Sequence, residues 1–67
     1  MKFHIEIVRI SDRADTEVLY RSFVDEMSPM RAMTKASSLL DIWSDRGANG
    51  ARIFNHRSEE LYSWKKS

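Results

Sequence analysis

His4 and His56 are the only histidines in this 67-residue chain, and there is no cysteine. A zinc site would have to draw carboxylates from elsewhere, and the spacing of the two histidines matches no metal-binding motif. Both are expected at the surface, one near the start of a strand and one in a turn. Nucleophilic catalysis needs a hydroxyl held beside a base, with a third group orienting the base. Ser37 and Ser38 lie in the middle of a predicted helix, and no glycine-rich turn surrounds any serine. With two glycines in the chain, Ala48-Asn49-Gly50 resembles no phosphate-binding loop. Asp41 and Asp45 stand one helical turn apart, where they either pair as carboxylates or form a solvated face beside Arg46. No catalytic, cofactor-binding or metal-binding residue is therefore expected, and the chain is not expected to be an enzyme.

A second group of residues points to binding. Arg9, Arg21 and Arg52 fall on predicted strands, as do Tyr20, Phe54, Tyr62 and Trp64. Arginines interleaved with aromatic rings on an open sheet suit single-stranded nucleic acid, through base stacking and phosphate contacts. The same residues also suit a core or a dimer seam, with arginine stems packed over the rings. A formal net charge of +1 favours a core or a dimer seam, because nucleic-acid binders are usually more basic. Met27, Met30 and Met33 cluster at the start of the helix. They are either an adaptable docking surface or ordinary packing at its margin.

The element that must position these residues is a helix over Ser28 to Gly47. Ser28 is a good N-cap and Pro29 suits the first helical position, where its missing N–H is no loss. At about 100° per residue, Ala32, Met33, Ala36, Leu39, Leu40 and Trp43 fall on one side. Arg31, Thr34, Lys35, Ser38, Asp41 and Asp45 fall opposite, with Met30 and Ile42 expected to cover the margins of the stripe. Gly47 accepts the left-handed conformation that stops a helix, and Arg46 suits the negative end of the helix dipole.

Four strands are expected around it. Phe3, Ile5 and Ile7 alternate with His4 and Glu6 in strand period and are assigned to the face against the helix. After Ile7 the phase slips. A bulge near Val8 accounts for this, as does a strand end covered on both faces. Ser11 to Thr16 is a polar loop, and Glu17 to Val24 a second strand antiparallel to the first. Val18, Tyr20 and Val24 are expected on one side of it and Leu19, Arg21 and Phe23 on the other. Bulk on both faces suggests a strand that is central or shielded on both sides. Ala48-Asn49-Gly50 is expected to be a flexible connector to a third strand, Ala51 to Asn55. A polar turn leads to a fourth, Glu60 to Lys65, on which Tyr62 and Trp64 oppose Leu61. Lys66 and Ser67 are expected to fray.

Length allows one domain with a small core, worth roughly 3–5 kcal/mol, and domains of this size often gain stability by dimerising. The absence of cysteine fits a reducing cytoplasm. No apolar run approaches the roughly 18 residues of a membrane span, and the charged, alternating start is not expected to be a signal peptide. No membrane partner is therefore expected. At 42% hydrophobic the composition is not that of a disordered chain.

The Phe3-His4-Ile5 start, the Ala36…Leu39-Leu40 helix and the closing Glu60-Leu61-Tyr62 arm resemble a group of small uncharacterised bacterial proteins with a strand–strand–helix–strand–strand plan. Such chains often carry an Asp-Gly turn in the last hairpin, where this one has His56-Arg57-Ser58. The resemblance covers nearly the whole chain and implies a fold, with no activity attached. The expectation is an α+β domain, ββαββ, with a four-stranded antiparallel sheet and one helix on one face. The bulky residues on both sheet faces exceed what one helix covers. A cytoplasmic protein-interaction module follows, homodimeric through a sheet face or edge or else covered there by another protein partner, with Arg9, Tyr20, Arg21, Arg52, Phe54, Tyr62 and Trp64 as its candidate surface. The alternative is a single-stranded nucleic-acid platform using several of the same residues.

Overall fold

The structure, a computed structural model, describes residues 1–13 and 15–66. Among these, the elements run β1 (Lys2–Ile10), β2 (Thr16–Asp25), α1 (Pro29–Trp43), a single 3₁₀ turn (Ser44–Arg46), β3 (Gly50–Asn55) and β4 (Glu60–Lys65). The four strands form one antiparallel sheet in the order β2-β1-β3-β4. This is the expected ββαββ, α+β arrangement, with the helix lying over the two central strands β1 and β3.

Local chemistry sets both ends of the helix. The Ser28 hydroxyl accepts from the Arg31 backbone N–H at 3.3 Å, with Pro29 following as the first helical residue. The α-helix ends at Trp43, earlier than the predicted Gly47, and the chain tightens into the 3₁₀ turn. The Ser44 hydroxyl donates to the Asp41 carbonyl at 2.7 Å, a local bond that draws in the last turn. Gly47 then closes it at φ +93°. Its N–H donates to the Ser44 carbonyl at 3.1 Å, and the Ala48 N–H reaches back to the Trp43 carbonyl at 3.2 Å. This is a Schellman stop, and it satisfies carbonyls that the end of a helix otherwise leaves bare.

The core forms where the helical stripe meets the alternating strand residues. Phe3, Ile5 and Ile7 of β1, Val24 of β2, and Ala51 and Ile53 of β3 pack with Ala32, Ala36, Leu40 and Ala48. Ala32 and Ala36 let the helix backbone approach the sheet closely. Each fully buried isoleucine contributes about 1.5–3 kcal/mol. Met33, Leu39 and Trp43 pack partly buried around this centre. Met30 and Ile42 do not cover the margins of the stripe as expected. They stand 74% and 67% exposed, because the buried side of the helix is the narrower stripe Ala32–Ala36–Leu40 and both residues turn away from the sheet.

Strand β2 is an edge strand, not a central one. Ile7 pairs with Tyr20 and Val8 with Val18, so Leu19 is an extra, bulged residue on β2. The bulge resets the alternation. Leu19 packs against the core, while Val18 lies beside Val8 on the other face. The predicted grouping of Val18 with Tyr20 therefore fails. The two-sided bulk is the mark of a bulge, which puts two successive residues opposite one. The extra residue is on β2, so β1 itself keeps its alternation through Val8. Val8 is itself buried, on the side away from the helix, so the end of β1 is covered on both faces as well.

The connector Ala48-Asn49-Gly50 is pinned rather than flexible. The Ile10 N–H donates to Asn49 Oδ1 at 2.7 Å, and Asn49 Nδ2 donates to the Ile10 carbonyl at 2.9 Å. The side-chain amide thus pairs with the end of β1 as a strand backbone would. Lys66 is likewise held, its N–H donating to the Asn49 carbonyl at 2.6 Å. Ser67, also expected to fray, lies outside the described residues, as does Ala14 of the loop after β1.

Candidate functional site

The even-numbered residues of β1 point away from the helix, and the register gathers their neighbours in rows. His4 lies between Phe23 and Phe54, Glu6 between Arg21 and Arg52, and Val8 between Val18 and Gly50. The first row is aromatic. His4 stacks on Phe23 with centroids 4.8 Å apart and planes 16° from parallel, and Phe54 tilts against it at 5.5 Å. Phe23 ends the row and is 80% exposed.

The second row is ionic. Arg52 Nη2 donates to Glu6 Oε1 at 2.5 Å, and Arg21 Nε lies 3.4 Å from Glu6 Oε2. Glu6 is the one charged side chain buried among the described residues, at 7% exposure. A carboxylate that deep needs a paired cation, and here two guanidiniums supply it from the flanking strands. The group keeps one net positive charge. The rows touch each other: the Arg52 guanidinium sits 5.7 Å from the Phe54 ring centre, and His4 Nε2 is 3.8 Å from Glu6 Oε2. His4 Nε2 and Arg52 Nε are buried with no hydrogen-bond partner among the described residues. A cleft of about 240 Å³ opens at the aromatic end, lined by Lys2, His4, Phe23, Asn55, His56 and Ser58 among others. Another of about 440 Å³ opens past the ionic row, with Val8, Arg52, Ser63 and Lys65 in its walls.

The sheet divides the predicted surface in two. Arg21, Arg52 and Phe54 share the open face. Tyr20, Tyr62 and Trp64 lie on the helix side: Tyr20 stacks on Trp43 at 5.2 Å, and Tyr62 and Trp64 are in register with the core residues Ile53 and Ala51. Arg9 joins neither group. Its stem lies beside Gly47 and its guanidinium pairs with Glu17. Of the methionines, Met33 packs on the core while Met27 and Met30 are exposed. His4, Glu6 and Phe23 were absent from the predicted surface. The signal for the first two was present, because strand alternation already set them opposite Phe3, Ile5 and Ile7. Phe23 needed the pairing with His4, which is not local.

No helix among the described residues is long and apolar enough to cross a membrane. In comparisons with known proteins, the chain matches no protein-family model, no curated protein and no solved structure.

Proposed function

We propose that the chain is a small protein-interaction module that works as a homodimer. The observation that carries this reading is the mismatch between one roof and two bulky surfaces. The helix lies over β1 and β3 on one side only, leaving Phe23 uncovered on the open face and Leu61 and Tyr62, 38% and 43% exposed, on edge strand β4. In a domain this small, exposed rings on regular structure support contact with another protein. Sedimentation at micromolar concentration tests it. A dimer is expected, and a monomer throughout the accessible range removes the reading.

A second reading, a single-stranded nucleic-acid platform, has its own support in the open face. The Phe23–His4–Phe54 row offers rings for stacking, and Arg21 and Arg52 stand one row away to meet phosphates. Glu6 already engages both guanidiniums, which weakens this reading against the first. Fluorescence anisotropy with short single-stranded oligonucleotides at two salt concentrations tests it. Salt-dependent binding is expected if it holds, and no binding at low salt ends it.

A further inference from the structure

We infer that the free edge of β4 is the seat of a second copy of this chain, the two β4 strands pairing antiparallel about a two-fold axis at Ser63. The result is one continuous eight-stranded sheet. The inference rests on the homodimer reading above and names its seam.

The edge is open. β4 is the last strand in the order, and the helix lies chiefly over β1 and β3. Its backbone phase follows from two bonds that point toward β3: the Lys66 N–H donates to the Asn49 carbonyl, and the Asn55 N–H to the Glu59 carbonyl. Antiparallel pairing alternates. Trp64 and Tyr62, opposite Ala51 and Ile53, therefore also bond inward, and Ser63 and Lys65 turn their N–H and C=O groups outward. Among the described residues these outward groups have no strand beside them. The bulge in β4 falls at Leu61, between the pairs Ile53–Tyr62 and Phe54–Glu60. It leaves residues 62–65 as a regular edge.

That edge is self-complementary. With the axis at Ser63, the two Ser63 residues exchange backbone hydrogen bonds. Tyr62 then lies opposite Trp64 of the partner subunit, and Trp64 opposite Tyr62 of the partner subunit. These are non-hydrogen-bonded positions, where opposing side chains are closest and aromatic pairs contribute most. Glu60 and Lys65 lie on the same face at opposite ends of the strand, so antiparallel pairing brings each near its opposite charge in the other copy. A two-residue slip in one direction keeps one aromatic pair in place of two, Tyr62 opposite Tyr62 of the partner subunit. A slip in the other also keeps only one, Trp64 opposite Trp64 of the partner subunit, and sets Tyr62 against Lys66 of the partner subunit. A one-residue slip puts open-face residues against helix-side residues. The opposite edge offers no such match, because the Leu19 bulge interrupts β2 and Glu17 and Arg21 line it. Bulges and charges are the usual guards of an unpaired edge.

In the resulting dimer both helices lie on one side and both Phe23–Arg21–Arg52 surfaces on the other. The open face is left free for a different partner.

The chain has no cysteine, so a single introduced thiol reports its own neighbour. The test pairs sedimentation of the full chain with oxidation of three variants: Ser63→Cys, Phe23→Cys on the open face, and Arg57→Cys in the exposed hairpin turn as the collision control. The expected result is a dimer in sedimentation, with rapid disulfide capture by Ser63→Cys alone. Ser63→Pro removes only an outward N–H. It is expected to weaken the dimer by roughly tenfold or more while the far-ultraviolet circular dichroism is unchanged. A dimer captured by Phe23→Cys but not by Ser63→Cys overturns the edge seam and leaves the homodimer reading standing. A chain that sediments as a monomer overturns both.

Discussion

Arg52 reaches across from β3 to bond Glu6 of β1 at 2.5 Å, joining residues 46 positions apart at the centre of the open face. Because Glu6 is buried and Arg21 approaches it from the other side, removing the carboxylate strands two guanidiniums together. Glu6→Gln is expected to destabilise the fold by about 2–4 kcal/mol in urea unfolding. Replacing Glu6 by Leu together with Arg52 by Met is expected to cost less than Glu6→Leu alone. Strict additivity of the two single changes would show that the ion pair is not coupled.

Phe23 is the opposite case, a large ring with little to lose by removal. It touches His4 on one side and solvent on the other. Phe23→Ser is therefore expected to change unfolding free energy by no more than about 1 kcal/mol. If the open face binds a partner, the same change abolishes that binding. A large loss of stability in Phe23→Ser would place the ring in the core and contradict the surface role.

Two left-handed residues respond in opposite directions. Gly47 at φ +93° ends the helix, and an L side chain there is strained, so Gly47→Ala is expected to cost about 1–2 kcal/mol. Ser58, at φ +63° in the last hairpin turn, already bears that strain. Its N–H donates to the Asn55 carbonyl at 3.0 Å, and Asn55 Oδ1 accepts from the N–H groups of Arg57 and Glu59. Ser58→Gly keeps these bonds and is expected to stabilise by about 0.5–1 kcal/mol. Thermal unfolding of both variants checks the pair, and a fall in melting temperature for Ser58→Gly would refute the account of the turn.

Asn49 closes the end of β1 with its side chain. Asn49→Ala leaves the N–H and C=O of Ile10 without their partners in a part-buried setting. A loss of about 1–3 kcal/mol is expected, together with faster hydrogen exchange at the Ile10 amide. Unchanged protection at Ile10 would mean that the strand end is held by something else.

Much of this molecule is legible one residue at a time. Ser28-Pro29 starts a helix, Gly47 stops it, and the stripe Ala32–Ala36–Leu40 selects its buried side, because capping and helical spacing act within a few residues. The alternation of Phe3, Ile5 and Ile7 likewise names the inner face of β1, and by implication puts His4 and Glu6 on the outer one. What stayed hidden depends on pairing between distant segments. Nothing near Leu19 in the chain announces that it is the bulged residue. That depends on the register against Ile7 and Val8, and the bulge in turn decides the faces of Val18 and Tyr20.

The same holds for the candidate surface. Residue types alone single out Arg21, Arg52 and Phe54 as suited to binding, and Tyr20, Tyr62 and Trp64 equally so. Only the sheet order β2-β1-β3-β4 parts them, putting the first three around His4 and Glu6 and the others beside the helix. Composition specifies which groups are available for binding, since charge and ring chemistry belong to single residues. Their assembly into one surface requires strand order and register, which are set by the combined burial of apolar residues far apart in the chain.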